Sequence, residues 1–517
     1  MLDEQRPRRV VPRWRASWIT AQTPEARVRK PTEATSQAAE ISNKQMELDL
    51  TPTVPIAAEL MFLASEGGDD EAARRGASLI VENEGKINAT RLVATAKRIL
   101  EGSELAMTPA PAHDFVRESR KLLALDFRNP VLLMDVARDL TARGHDKAAL
   151  RYVRTAVALA PQSRFVVRAA ARYFLHIGDH DQAHEVLRRS TILSTDPWVQ
   201  ASEIAVATVR GRTSPNARRV IRALAGKDAI GADLSELASA VGTVEMNEGA
   251  DKKARQLFAK SLASPTDNSV AQAEWAAARL KLVVDAVALK TPFSFEANSN
   301  NAYRRLQVSD AIAFAKEWAD DEPFASRPLD ALTYMYCLEE RFAEARESAL
   351  RAIRLAGKET GSSQLNLLFV RIQQGELDGA HTDLLRLAMR PESKPHAVHI
   401  YADAGALAYA TDEFELGQYY YQKAIKLARA KGSTSEEALA RAYFARAASQ
   451  HGDPSAPMIV QEAASGIELL PSPGAIHSGR RLVDAKQRRA LEDVAARRIA
   501  HTKWTWDAVT NTLQALE

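Results

Sequence analysis

The chain has 517 residues, 46% of them hydrophobic and 26% charged, and its formal net charge is +3. This composition is that of a folded globular protein, and so small a net charge does not indicate a nucleic-acid partner. The single cysteine, Cys337, excludes an internal disulfide and a zinc site built from cysteines, and it indicates a reducing compartment. No segment reaches the ~18 apolar residues of a membrane span, and no secretory signal is recognisable. We therefore expect a cytoplasmic protein without a membrane partner.

The first 50 residues are polar and lack a helical periodicity long enough to bury one face. We predict a flexible, basic N-terminal tail over residues 1–50. Within it, arginines that include Arg13 surround Trp14 and Trp18, and tryptophans four residues apart share one face of a helix. Two interpretations remain open: a docking motif for a protein or nucleic-acid partner, or an arm that lies on the chain's own helices.

Helical patterns begin near Pro55. Residues 51–128 are predicted to form divergent helical hairpins, the first with its turn at Gly67 and Gly68. Asp69 or Asp70 is suited to cap the second helix of that hairpin, because a carboxylate accepts from the free amides of the first turn. These hairpins are expected to cap the helices that follow.

Residues 129–197 contain two copies of one helix-turn-helix pattern in a constant register. The first copy places small and apolar residues at Leu133, Val136, Ala137, Leu140, Ala149, Val153 and Ala156, with Gly144 at the turn and Pro161 at the end. The second copy, 34 residues on, has Val167, Ala170, Ala171, Phe174, Ala183 and Leu187, with Gly178 at the turn and Thr195 at the end. A constant period of this length predicts a repeat architecture.

The small residue of this pattern can be followed along the chain. It continues at Ala217, Ala254, Ala311, Ala345, Ala380 and Gly417, with spacings from Ala183 of 34, 37, 57, 34, 35 and 37 residues. A methyl group or a hydrogen at this position lets neighbouring helix backbones approach closely. Most steps correspond to one repeat, and the step of 57 residues indicates an insertion near residues 268–308.

The period, the turn glycine and the small residue resemble the tetratricopeptide repeat. The chain is a degenerate example, since Leu133 and Val167 occupy slots that hold large aromatic residues in that family. The resemblance covers residues 129–431. It implies an all-α fold, a right-handed superhelical solenoid of stacked helix-turn-helix repeats. It also implies a non-enzymatic scaffold or adaptor that binds a partner protein or peptide, as a regulatory or sensing subunit of a larger complex.

In such a solenoid the first helix of each repeat lines a concave groove. By register, the candidate groove residues are Arg138, Arg168 and Arg172 in early repeats and Tyr334, Leu365, Phe369 and Ile372 in later ones. A basic end and an apolar end suit an extended peptide with acidic residues followed by apolar ones. The alternative is that these arginines pair with glutamates inside the solenoid.

The insertion contains a stretch, residues 269–290, that is predicted to be one helix of about 22 residues. Insertions between repeats often contribute to a binding face; a structural splint is the other interpretation. Residues 432–517 are predicted to form a C-terminal hairpin and basic capping helices. Arg488, Arg489, Trp504 and Trp506 in this region either belong to a soluble cap or contact nucleic acid, which is the alternative partner.

No phosphate-binding glycine loop, dinucleotide fingerprint, nucleophile elbow or zinc-protease motif is present in the sequence, so we expect neither an enzyme nor a cofactor. His180 and His184 lie four residues apart at the start of a helix and form a weak candidate for a metal site. Their register at a turn and an outer helix face favours ordinary solvated side chains. Cys337 is expected to pack as a small apolar residue.

Overall fold

The structure of the protein is a computed structural model. It describes residues 11–20, 23, 25, 31–67, 69–86, 90–101, 121, 123–124, 126–225, 230–356, 361–469, 473–475 and 503–514. Every regular element in these residues is a helix, which confirms the prediction of an all-α helical-repeat fold. The described residues form two compact units: an N-terminal unit that ends at Ala297 and also includes Asp320–Phe324, and a C-terminal unit formed by Asn298–Ala319 and the residues from Ala325 onward.

Within the described residues the helices follow one another in chain order, and most consecutive helices pack together. The first fourteen are α1 (Ser17–Thr20), α2 (Pro31–Leu50), α3 (Val54–Gly67), α4 (Asp70–Glu82), α5 (Thr90–Glu101), α6 (Pro130–Ala142), α7 (Asp146–Leu159), α8 (Arg164–His176), α9 (His180–Arg189), α10 (Pro197–Val209), α11 (Pro215–Ala225), α12 (Ala232–Asn247), α13 (Asp251–Ser261) and α14 (Asp267–Leu280). The remaining eleven are α15 (Phe295–Arg304), α16 (Val308–Asp321), α17 (Arg327–Leu338), α18 (Phe342–Leu355), α19 (Gly361–Gln373), α20 (Ala380–Ala388), α21 (Ala397–Ala410), α22 (Phe414–Ala430), α23 (Thr434–His451), α24 (Ala456–Leu469) and α25 (Lys503–Gln514). Short 3-10 helices lie at Glu84–Lys86 and Pro391–His396.

The predicted repeat register agrees with the structure. Gly144 and Gly178 both have φ of +75°, the left-handed conformation with which glycine ends a helix at low cost. Each small residue of the pattern lies in the first turns of the second helix of a pair and is buried, from Ala149 in α7 to Gly417 in α22. A larger side chain at any of these positions would therefore need space that neighbouring residues occupy.

The α21–α22 pair shows how close this approach is. A Cβ added to Gly417 would lie 2.6 Å from Cδ2 of Tyr409, and one added to Gly405 would lie 2.6 Å from Cδ2 of Tyr421. Each glycine thus receives an aromatic ring of the opposite helix, and Tyr420 beside them is also fully buried. These contacts form the centre of the hydrophobic core of the C-terminal unit.

Two predictions about secondary structure were wrong. Part of the predicted flexible tail is ordered, since Pro31–Leu50 is a helix and residues 14–16 are buried. The predicted helix of about 22 residues ends at Leu280, because Lys281 adopts a left-handed conformation (φ +52°) and β-branched valines follow it. Val283 is 98% exposed, so no packing draws this stretch into a helix.

The same region contains a helix that the sequence pattern did not predict. α15 is rich in asparagine and serine, which have weak helix propensity, yet Ala297, Ser299, Asn300 and Asn301 are buried. Tertiary packing therefore stabilises this helix against its local preference. Within the described residues, no helix combines the length and the apolar character needed to cross a membrane.

Candidate functional site

An extended segment of the N-terminal unit, residues 11–17, is held against the helices of the same unit; we call it the arm. Its residues before Ser17 are not helical, and Pro12 restricts the residue before it to extended conformations. Asn268, near the start of α14, donates through Nδ2 to the backbone oxygen of Val11 (2.9 Å). We call the surface that contacts the arm the cleft.

Trp14 is the apolar anchor of the arm and is 0% exposed. Its indole meets Tyr173 of α8 edge-on, with ring centroids 5.9 Å apart, and meets Phe324 at 5.1 Å. Such aromatic pairs stabilise beyond the area they bury. The backbone oxygen of Trp14 accepts from Nε of Arg138 (3.0 Å), so α6 fixes the main chain at the same residue.

The two arginines that flank Trp14 bind four carboxylates, which we call the acidic cluster: Asp267, Glu296, Asp321 and Glu322. Arg13 approaches Asp267 at 3.2 Å, Glu296 at 2.7 Å and Glu322 at 3.3 Å.

Arg15 forms the most specific contact of the arm. Its Nε and one terminal nitrogen donate to the carboxylate of Asp321 at 2.8 and 2.7 Å, a two-point contact that only a guanidinium can make. The same terminal nitrogen also donates to Asp267 at 2.8 Å. The guanidinium carbon lies 5.2 Å from the centre of the Phe293 ring, which adds a cation–π contact.

The charge of Asp267 is set by these contacts. Burial by itself would raise the pKa of Asp267, but the positive charges of Arg15 and Arg13 and the hydrogen bond from the Asn268 backbone outweigh it. The pKa of Asp267 therefore lies below its usual value, and the carboxylate is ionised when the arm is bound. Its position as the first residue of α14 favours the negative charge as well.

The arm continues into helix α1 through Asp135 of α6. The backbone nitrogen and the hydroxyl of Ser17 donate to the two carboxylate oxygens of Asp135 at 2.9 and 2.6 Å. Asp135 is buried, so this contact fixes the end of the arm inside the unit.

Groups of the protein itself already contact all three predicted groove arginines of the early repeats. Arg138 donates to the backbone oxygens of Trp14 and Asp321. Arg172 lies over the ring of Phe324 at 4.9 Å and 3.9 Å from Glu322. The expected acidic peptide is not what these residues contact, because carboxylates from α14, α15 and the end of α16 make the cleft acidic.

The contacts of Arg168 agree with the alternative interpretation, in which groove arginines pair with glutamates inside the solenoid. Its guanidinium contacts Glu236 of α12 at 2.7 Å and Glu25 at 2.5 Å, and Nε donates to Ser202. Burial raises the pKa of Glu236 to about 7; the charge of Arg168 opposes this rise, whereas Glu25 and Asp267 add to it. Glu236 thus titrates near neutrality.

The predicted groove residues of the later repeats lie in the C-terminal unit and do not line an open face. Leu365 and Ile372 belong to its hydrophobic core, and Phe369 contacts Tyr443 edge-on at 5.2 Å. The hydroxyl of Tyr334 lies 2.9 Å from that of Tyr303, which accepts from the backbone nitrogen of Gly474 at 3.0 Å. Neighbouring helices and residues 473–475 cover the positions where a peptide was expected.

The tryptophan-bearing C-terminal helix α25 is packed on the same unit. Trp506 is buried and contacts His381 at 4.5 Å and Tyr420 at 5.8 Å, while the hydroxyls of Tyr420 and Thr510 lie 2.6 Å apart. Trp506 is therefore a core residue and does not present a ring to nucleic acid. Arg488 and Arg489, and the side chains of Trp18 and Trp504, lie outside the described part of the structure.

One histidine of the α9 pair, His184, is engaged in protein contacts. Nε2 of His184 lies 2.9 Å from Glu203 and Nδ1 lies 2.6 Å from Arg210. His180, at the N-terminus of the same helix, is only partly buried. Among the described residues, no group of three or more His, Cys, Asp or Glu is placed to hold a metal ion.

Cys337, in α17, is buried as expected for a small apolar side chain. Burial raises the pKa of its thiol to about 12, so the reactive thiolate is scarce at neutral pH.

The sequence pattern missed the acidic cluster. Its members come from α14, α15 and the end of α16, none of them occupies a position of the repeat pattern, and they lie more than 250 positions from Arg13 and Arg15. The only sequence signal was the acidic run at residues 320–322, next to a predicted helix end.

No protein-family model matches the chain, and no curated protein matches it. Among solved structures, the chain is similar to the crystal structure of the APC/C hetero-tetramer Cut9-Hcn1, with 12% sequence identity and coverage of 92% of this chain and 96% of that chain. The TM-score is 0.31, so the two chains share too little of their arrangement for any functional conclusion.

Proposed function

We propose that the protein is a non-enzymatic, tetratricopeptide-like scaffold of the cytoplasm that binds a partner protein through the N-terminal unit. The observation that supports this most is the arm in the cleft. The seven-residue arm is bound there through main-chain contacts at Val11 and Trp14, a buried aromatic anchor and a set of ion pairs. These are the means by which repeat proteins and other domains bind extended peptides.

The helices that form the cleft are well suited to a recognition surface. Arg138, Arg172 and Tyr173 project from the first helices of two successive repeats, and each is held by packing or hydrogen bonds. Side chains fixed in this way lose little conformational entropy when a partner binds. The role of a regulatory or sensing subunit in a larger complex is part of the same proposal.

Affinity purification from the native cell, with and without nuclease and at low and high salt, tests the proposal. We expect a protein that remains bound after nuclease treatment and at high salt. Hydrogen exchange of the purified complex should then show new protection in α6 and α8, relative to the chain alone. Loss of all bound material with the nucleic acid would overturn the scaffold proposal and favour the nucleic-acid alternative, because phosphate contacts weaken steeply with salt.

A further inference from the structure

We propose that the cleft recognises short segments of the form arginine–aromatic–arginine, and that the arm is its resident ligand, which a second chain with the same chemistry displaces. This inference rests on the proposed function and names the chemistry of the partner. It reverses the expectation from the early-repeat arginines, because the bound partner would be basic and aromatic.

The first reason is charge. Arg13 and Arg15 together contact every member of the acidic cluster, and the side chains of this cluster are at most 11% exposed. Buried carboxylates are costly unless cations are paired with them. The cleft therefore favours an occupant with two positive charges, and an acidic or neutral peptide would leave the cluster without the cations that Arg13 and Arg15 supply.

The second reason is the alternation of side chains. In an extended chain, successive side chains point to opposite sides. Arg13 and Arg15 accordingly point to the acidic cluster, while Trp14 between them points to Tyr173 and Phe324. In the sequence Arg-aromatic-Arg, the two arginines thus meet the acidic side of the cleft, and the central residue meets its aromatic side.

The third reason is the geometry at Arg15. Two nitrogens of one guanidinium bind Asp321, and the flat face of the group stacks near Phe293. Lysine carries the charge but makes neither the two-point contact nor the stacking. The cleft should therefore distinguish arginine from lysine, which a non-specific acidic patch would not do.

The arm competes as a tethered ligand. A short tether gives a local concentration on the order of 1 mM. If the free segment binds with a Kd on the order of 10 μM, the tethered arm raises the apparent Kd of an external peptide by about 100-fold. An external segment gains access when it binds more tightly or when the tether is cut.

The test uses the full chain with a specific protease site inserted after Val28, and a fluorescent peptide of residues 11–17, VPRWRAS. The apparent Kd of the peptide is measured before and after cleavage by fluorescence anisotropy. We expect cleavage to lower the apparent Kd by about 100-fold, since the released arm is then only an equimolar competitor. A folded, cleaved chain that has lost its arm and still does not bind the peptide would overturn the inference.

Matched variants identify the contacts. In the cleaved chain, D267N/E296Q should raise the Kd of the peptide at least tenfold. The control D181N/E248Q removes two exposed carboxylates outside the cleft and should leave this Kd unchanged. The peptide VPKWKAS should bind at least tenfold more weakly than VPRWRAS, and VPEWEAS should not bind. Equal binding of the arginine and lysine peptides would contradict the inference.

A cleaved chain that loses helical circular dichroism is also informative. Recovery of the signal on addition of VPRWRAS supports a ligand role, and no recovery with any of the three peptides overturns it. The outcome is separable from the scaffold proposal. A purified partner protein that binds while the arm stays protected from trypsin would leave the scaffold standing and refute the arginine–aromatic–arginine site.

Discussion

Truncation of Trp14 to alanine should release the arm from the N-terminal unit. The indole is 0% exposed and contacts two aromatic rings, at 5.9 and 5.1 Å. Removing a buried tryptophan costs about 3–5 kcal/mol in protein cores. Among the described residues, no acceptor is bonded to indole Nε1, so packing accounts for this cost.

The free energy lost on truncation of Trp14 has an upper limit, because Trp14 lies in a terminal segment. Once the arm leaves the cleft, no further stabilisation is lost, so the substitution can cost at most the free energy of arm binding. A loss of about 3 kcal/mol raises the ratio of released to bound arm by about two orders of magnitude. The remaining helices of the unit should keep their circular dichroism.

Limited trypsin digestion followed by mass spectrometry measures this release. Arg13 and Arg15 are cleavage sites that the bound arm buries. Cleavage should follow the population of the released form, so W14A should be cut about 100-fold faster than the unmodified chain. W14F keeps an aromatic ring and should lie much closer to the unmodified chain.

The matched control is W506A, which removes an equally buried tryptophan from the C-terminal unit. It should destabilise the chain without accelerating cleavage at Arg13 or Arg15. Equal cleavage rates in W14A and the unmodified chain would show that the indole does not hold the arm, and would refute the structural reasoning.

Three substitutions test other parts of the structure by urea unfolding. Ala183→Trp inserts a large ring at a fully buried helix crossing and should lower the free energy of unfolding by roughly 1–3 kcal/mol. Gly417→Ala places a Cβ 2.6 Å from the ring of Tyr409 and should cost a similar roughly 1–3 kcal/mol, whereas Gly361→Ala meets nothing within 4 Å and should be neutral. Glu236, whose pKa burial raises to about 7 from an ordinary 4.5, makes the folded chain bind an extra proton in that range. The free energy of unfolding should therefore fall as pH rises from 4.5 to 7, and E236Q should remove about 3 kcal/mol of this pH dependence.

Each of these has a result that would contradict it. An unchanged unfolding free energy in A183W would mean that the repeat register is misplaced. Equal effects of G417A and G361A would mean that Tyr409 does not pack on α22. As a control, E248Q removes an exposed carboxylate and should not change the dependence of the unfolding free energy on pH. If E236Q does not change this dependence either, Glu236 ionises at its ordinary pKa.

The repeat core was predictable from sequence because its determinants are local and periodic. Gly144 and Gly178 recur at 34 residues, and the buried small residues from Ala149 to Gly417 follow at steps of 34 to 37 residues, with one step of 57 at the insertion. A left-handed turn and a close helix crossing tolerate few other residue types. The pattern therefore predicts the helix pairs without any information about contacts between residues distant in sequence.

The arm and its cleft were not predictable in the same way. The tryptophan and arginine pattern left a docking motif and a self-bound arm equally open, since the deciding partners of Arg13 and Arg15 lie in α14, α15 and α16. Tertiary burial also overrode local preference in the insertion, where an asparagine-rich stretch forms α15 and an apparently helical one ends at Leu280. Ion pairs between segments distant in sequence leave no periodic pattern in it.

The buried thiol of Cys337 has a practical consequence. As the single cysteine of the sequence, it is the single site at which a thiol reagent can attach. Because the thiol is buried and its pKa is about 12, the reagent can react only when α17 opens. The labelling rate of the unmodified protein thus reports the opening of the C-terminal unit. Trypsin reports on the arm in the same sample, so ligand effects on the two units can be timed separately.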